Sequence, residues 1–130
     1  MTGDLPEGVS EGLRQHVRDP RRIAAQGPLV EGTRVVRATN AACGDELELH
    51  GRCEGELLRL EFRARGCWGV VAVASLMCER LDGAPLAGVR SIDVAAAVAG
   101  AGGLPRSRTH AITLFERVLA DLVRGLGRST

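Results

Sequence analysis

The side chains of this sequence able to do metal or thiol chemistry are few: four cysteines, three histidines, and a carboxylate two positions after a thiol in "TNAACGDELEL". Thiolate, imidazole and carboxylate are soft, borderline and hard donors, and together they suit iron or zinc; a thiolate also serves sulfur transfer. Cys43-Gly44-Asp45 is by itself as compatible with the turn that starts a strand as with half of a metal site. What separates the two readings is whether other donors converge on it.

The hydrophobic pattern around this stretch supplies the elements that bring donors together. Leu47, Leu49 and Gly51 alternate with Glu46, Glu48, His50 and Arg52, and after the turn "CEGE" Leu58, Leu60, Phe62 and Ala64 alternate with Arg59, Glu61, Arg63 and Arg65. This is an antiparallel hairpin with one buried face. Its wet face sets acids on one strand against arginines on the other, which suits cross-strand charge pairing. Cys43 stands at the start of the first of these strands and Cys67 just past the end of the second, so Cys43, Asp45 and Cys67 meet at the open end of the hairpin. Cys53, in the outer turn, falls at the opposite end.

After Gly66 the period becomes helical. Val70, Val73, Ala74, Met77, Cys78 and Leu81 predict a helix that begins near Cys67 or Trp68 and stops at Asp82-Gly83. A thiol at a helix start faces unpaired amides and the positive end of the dipole, so a lowered Cys67 pKa is expected. Cys78, on the apolar stripe, reads as a small buried hydrophobe. His16 and His50 read as surface or half-buried residues of a helix and a strand.

Elsewhere, Val9, Leu13 and Val17 predict a short helix within Gly8 to Asp19, capped by Ser10 and ended by Pro20. "TRVVRATN" predicts a first strand. A softer helix is expected over roughly Pro85 to Val98, and a last one after "GGLPRSRTH", with Ile112, Phe115, Leu119, Leu122 and Val123 as its apolar stripe. His110, near the start of that helix, is a fourth donor that would fill a four-coordinate shell with Cys43, Asp45 and Cys67, although spacing alone does not bring it there. The expected architecture is α+β: a small three-stranded antiparallel sheet with helices packed on one face, in one domain spanning 1–130, with residues 1–8 and 126–130 flexible.

Composition narrows the function classes. The chain has 130 residues, 45% of them hydrophobic, enough for one core. Seventeen arginines against sixteen acids leave a net charge of +1, and only 2% of residues are aromatic, so neither a basic field nor a stacking platform argues for nucleic acid. The longest weakly polar stretch, "IDVAAAVAGAGGL", is too short to span a bilayer. No secretory signal is visible, which predicts a cytoplasmic protein. There, four cysteines are expected as buried thiols, metal ligands or reactive thiolates rather than structural disulfides. No Cys-x-x-Cys pair is present, against a zinc ribbon or thioredoxin-like site.

"HVRDPRRI", "ATNAACGDELEL", "FRARGCWGVVAVASLMCERLDG" and "GLPRSRTHAITLFERVLADL" resemble, in order and with similar intervals, the IscU/SufU/NifU N-terminal family of iron-sulfur cluster assembly scaffolds, from about His16 to Leu122. The resemblance implies an antiparallel sheet with helices against it, and a metal or nascent cluster surrounded by Cys43, Asp45, Cys67 and His110. The family usually has His-Cys near the last helix, whereas this chain has His110-Ala111 and so lacks a third cysteine, the family's usual sulfur acceptor. The Leu-Pro-Pro-Val-Lys segment read by a dedicated chaperone is here Leu104-Pro105-Arg106-Ser107-Arg108, and there is no room for the insertion of the zinc-bound type.

What the resemblance implies is a non-enzymatic scaffold or carrier that binds iron or a [2Fe-2S] cluster and passes it on, with a cysteine desulfurase and apo iron-sulfur acceptor proteins as partners. No nucleic acid or membrane partner is expected, and the chain would be a monomer or weak dimer. Three alternatives stand beside it: a zinc-binding non-catalytic or regulatory relative; a sulfur-transfer protein in which Cys67 reacts, His110 assists and Asp45 orients the imidazole; and, given Ala111, a relative that has lost metal binding and serves as an interaction partner.

Overall fold

The computed structural model describes residues 9–41 and 44–127. Cys43, the expected flexible end at 1–8 and residues 128–130 of the tail expected at 126–130 lie outside the described residues. The elements run α1 (Glu11–Arg18), β1 (Arg34–Asn40), β2 (Asp45–Glu54), β3 (Leu57–Arg65), α2 (Trp68–Leu81), α3 (Leu86–Val89), α4 (Val94–Gly100), a 3-10 turn (Arg106–Arg108) and α5 (His110–Gly127). The strands form one antiparallel sheet in the order β1-β2-β3, with α2 against β3 and β2, and α5 against β1 and β2. Three strands and helices on their apolar face match the expected α+β architecture.

Local sequence explains most boundaries. The Ser10 hydroxyl accepts from the Leu13 amide at the start of α1. The hairpin register pairs Leu47 with Ala64, Leu49 with Phe62 and Gly51 with Leu60, putting the apolar set on one face. Its turn is tighter than "CEGE": Glu54 still pairs with Leu57, so only Gly55 and Glu56 lie between the strands, with Gly55 at φ 64°. Cys53 is therefore an exposed residue of β2 paired with Leu58, still at the far end of the hairpin.

Three expectations need correction. The softer helix over 85–98 is two helices, because the Asp93 carboxylate accepts from the Ala96 amide and caps a fresh start at Val94. The acids of β2 stand opposite arginines of β3, yet Glu46 and Glu48 form ion pairs with Arg37 of β1, at 3.5 and 3.9 Å. Arg63 instead donates to the Ala25 carbonyl at 3.0 Å. Leu126, expected in a flexible tail, is 5% exposed in the last turn of α5.

The core also sets where the helices end. Helix α2 is buried along nearly its whole length, as a helix apolar on all sides must be, between the sheet and α1, α4 and α5. Helix α5 seats Leu122 on the bare backbone of Gly51, where a Cβ would stand 2.6 Å from a Leu122 methyl carbon. His110 lies twelve residues before Leu122, and Asp45 six before Gly51. Twelve helical residues span about 18 Å and six strand residues about 20 Å. The Gly51-Leu122 contact at one end of the sheet thus sets His110 over Asp45 at the other.

Candidate metal centre

Asp45 opens β2, Cys67 is the residue before α2, and His110 opens α5. Asp45 is 1% exposed. Its Oδ1 accepts from the Cys67 backbone amide at 2.8 Å, and its Oδ2 lies 2.7 Å from His110 Nε2. Cys67 Sγ lies 3.7 Å from Asp45 Oδ2 and 3.6 Å from the same His110 Nε2. One oxygen, one nitrogen and one sulfur therefore face a common point, with all three donor atoms within 4.8 Å of one another.

This spacing fits a metal. With bonds of about 2.3 Å to sulfur and about 2.0 to 2.1 Å to nitrogen or oxygen, tetrahedral geometry separates sulfur from nitrogen or oxygen by about 3.6 Å, and nitrogen from oxygen by about 3.3 Å. The two sulfur separations already match. The nitrogen-oxygen separation is that of a hydrogen bond and must open by about 0.6 Å, a small hinge at the imidazole, when a metal replaces the shared proton.

Backbone conformation makes the convergence possible. Gly66, between β3 and Cys67, has φ 124°, and a Cβ there would collide with Asp45 Oδ1 and stand 2.8 Å from its Cα. Only a residue without a side chain lets the chain turn from strand to helix this close to the carboxylate. Arg108 lies across the start of α2, its guanidinium carbon 5.8 Å from the Trp68 ring centre. Neither Gly66 nor Arg108 stands out as a site residue in the sequence. The glycine had a signal, falling between a strand end and a helix start, but the arginine had none.

The expected lowering of the Cys67 pKa is not found: the thiol is raised. Burial is the main cause, and the Asp45 carboxylate adds to it; the Val70 and Gly69 amides and the Arg108 charge pull the other way without overcoming it. The helix start acts as foreseen, but removing a thiolate from water outweighs it. Cys78 is fully buried and its thiol is pushed far up by the same effect. His50, expected at the surface or half-buried, is buried on the sheet face opposite Leu49 and bonds Glu48. His16 bonds Ser75 through Nδ1 at 2.7 Å. Both stand apart from the Asp45, Cys67 and His110 cluster.

An antiparallel sheet with helices on its apolar face and an Asp-Cys-His cluster at its hairpin end defines a small α+β domain with a candidate metal site. Residues 10–125 match the family described as "NifU-like N terminal domain", and the chain belongs to that family. It is 31% identical to "Bifunctional protein NifU/MnmA" of Rubrobacter xylanophilus over 85% of its own length, spanning 22% of that relative. It is 26% identical to "Iron-sulfur cluster assembly scaffold protein IscU" of Aquifex aeolicus, over 81% of this chain and 67% of that one. Among solved structures, a NifU-like N-terminal protein from Brucella abortus superposes with a TM-score of 0.68, at 18% identity over 92% of this chain and 94% of that one. A putative SUF-system scaffold from Fervidobacterium islandicum gives 0.66, at 17% identity over 88% and 95%. These two establish the likeness of fold. No helix among the described residues is long and apolar enough to cross a membrane.

Proposed function

We propose that this chain is an iron-sulfur cluster assembly scaffold or carrier, which holds iron or a [2Fe-2S] cluster as cargo through Cys43, Asp45, Cys67 and His110 and passes it to apo acceptor proteins. The carrying observation is the convergence of Asp45 Oδ2, Cys67 Sγ and His110 Nε2 at separations near those of a metal's coordination shell. Family membership and the scaffold name of the Aquifex relative support the reading. Cys43 enters as the fourth ligand on the strength of its place two residues before Asp45. Sulfur would come from a cysteine desulfurase.

The geometry argues against a Cys-His-Asp relay. Such a relay uses the two ring nitrogens for different partners, one for the nucleophile and one for the carboxylate. Here a single nitrogen, Nε2, faces both thiol and carboxylate, as ligands around a common ion do. This arrangement supports a binding role over the sulfur-transfer alternative. A mixed sulfur, nitrogen and oxygen set is chemically acceptable, since imidazole replaces thiolate in some natural clusters. With Ala111 in place of a third thiol, the cargo is held by fewer thiolates, which suits transfer better than storage.

Anaerobic reconstitution with ferrous iron and sulfide is expected to give visible charge-transfer absorption that is lost in Cys43→Ala and Cys67→Ala and weakened in Asp45→Ala. Absence of the band in the wild-type protein, or one zinc per chain in protein purified without added metal, overturns the reading.

A further inference from the structure

Arg108 stands beside the metal donors and bonds none of them. Its Nε, fully buried, has no hydrogen-bond partner among the described residues. A buried guanidinium N-H without an acceptor is unfavourable and uncommon, so this donor is open to an acceptor from outside the chain, a water or a small anion that displaces it. The side chain is also fixed in place. Trp68 lies under the guanidinium, and Arg108 Cβ, Arg108 Cδ and Cys67 Sγ all come within 3.5 Å of the point where a side chain at Gly69 would begin. A cation stacked on an indole and wedged over a glycine is preorganised for an anion rather than free to follow one.

We propose that Arg108 and Cys67 frame a subsite for a small sulfur anion, hydrosulfide or a low-molecular-weight thiolate, which accepts a hydrogen bond from Arg108 Nε while it lies next to the Asp45, Cys67 and His110 donors. The proposal rests on the metal-site reading above and extends it to a second ligand. A sulfur anion fits better than phosphate or a carboxylate. It presents one soft, weakly hydrated atom to one buried donor, whereas the oxyanions call for a two-pronged fork and lose more hydration. It also supplies the soft donor that Ala111, 1% exposed in the core, does not. Binding exchanges the anion for water, with no covalent bond made in the protein and no electron moved.

The test uses the whole metal-free chain, labelled with 15N, under anaerobic conditions at mildly alkaline pH. The Arg108 Nε-H resonance, assigned by its loss in Arg108→Lys, is followed during addition of sodium hydrosulfide, of trifluoroethanethiol as a largely ionised small thiol, and of sodium chloride as the control for charge and ionic strength. A saturable shift is expected with a sulfur anion and none with chloride. Saturation by hydrosulfide alone identifies free sulfide as the ligand, and saturation by the thiol as well extends it to carried sulfur. No saturable shift with either, or an equal shift with chloride, overturns the proposal.

A cobalt titration separates this from the metal-site reading. In Arg108→Gln, cobalt affinity is expected to stay within about threefold of wild type, while the hydrosulfide needed for half-saturation, followed in both proteins at the backbone amides of Cys67 and Gly69, rises about tenfold or more, as loss of a charge-assisted bond implies. Loss of cobalt binding in Arg108→Gln overturns the anion role, because the arginine then acts on the metal ligands themselves. If wild type binds cobalt but the arginine resonance never titrates, the anion subsite fails and the metal site stands. The converse result removes the metal site and keeps the subsite.

Discussion

His110 Nε2 and Asp45 Oδ2 lie 2.7 Å apart although 65 residues separate them in the chain. That contact joins the first residue of α5 to the first residue of β2, and the Asp45 carboxylate extends it through Oδ1 to the amide before α2. One buried carboxylate thus ties three element starts together.

Asp45→Ala removes the acceptor of both contacts and leaves the Cys67 amide without its partner. The expected cost is about 1 to 3 kcal/mol of folding stability, together with loss of metal binding. Asp45→Asn keeps an oxygen for the Cys67 amide, so it should melt closer to wild type while still binding metal more weakly. Thermal melts and cobalt titrations of the two variants check this. A melting temperature for Asp45→Ala equal to wild type would show that the carboxylate ties nothing together.

Gly66→Ala puts a methyl group against Asp45 at a backbone angle that side chains rarely adopt. Positive-φ strain alone is worth on the order of 1 to 3 kcal/mol, and the collision adds to it. Urea unfolding should show a clear loss of stability, with metal affinity lost in whatever fraction still folds. A neutral substitution would mean that the strand-to-helix turn can be made another way.

Cys67 in the metal-free protein is expected to be slow toward iodoacetamide at neutral pH, gaining rate only as pH rises past the range of an ordinary thiol, because burial and Asp45 both raise its pKa. Asp45→Asn removes the repelling charge and should speed alkylation at a given pH; Arg108→Gln removes a stabilising one and should slow it. Mass-spectrometric rates across a pH series, read at Cys67, test both signs. A rate that levels off below the ordinary thiol range would restore the helix-start effect as the stronger one.

His16 gives a pH dependence of stability. Burial lowers its pKa, with the Glu79 charge opposing and Arg21 assisting. Ser75 Oγ accepts from the Arg21 amide at 2.7 Å, and its hydroxyl hydrogen is available to donate to His16 Nδ1 when that nitrogen is unprotonated, the form that the lowered pKa favours. A histidine pKa depressed on folding contributes stability that is fully present above its unfolded value and is lost as pH falls through the folded one. Melting temperature should therefore drop on acidification from neutral, and part of that drop should vanish in His16→Gln. An identical pH profile for the two proteins would exclude the histidine as its source.

Much of the fold was legible because its signals are local. The Ser10 cap, the alternation on β2 and β3 and the helical stripe from Val70 to Leu81 each depend on residues within one element. The break near Asp93 was missed because an aspartate inside a run of small apolar residues can lie on a helix or begin one, and periodicity does not separate the two. The ion pairs of Arg37 were missed because strand register fixes which residues stand opposite, while long side chains choose among all neighbours in reach.

The sequence by itself determined the donor types, the meeting of Asp45 with Cys67 at the open end of the hairpin, and the absence of a thiol at Ala111, since these follow from residue identity and strand register. Only the tertiary structure decided that His110 reaches the carboxylate, that one ring nitrogen faces both partners, and that burial raises rather than lowers the Cys67 pKa. The reason is that each depends on where α5 and α2 come to rest on the sheet. That seating is set by contacts such as Leu122 on Gly51, far from the site along the chain and invisible to any local pattern.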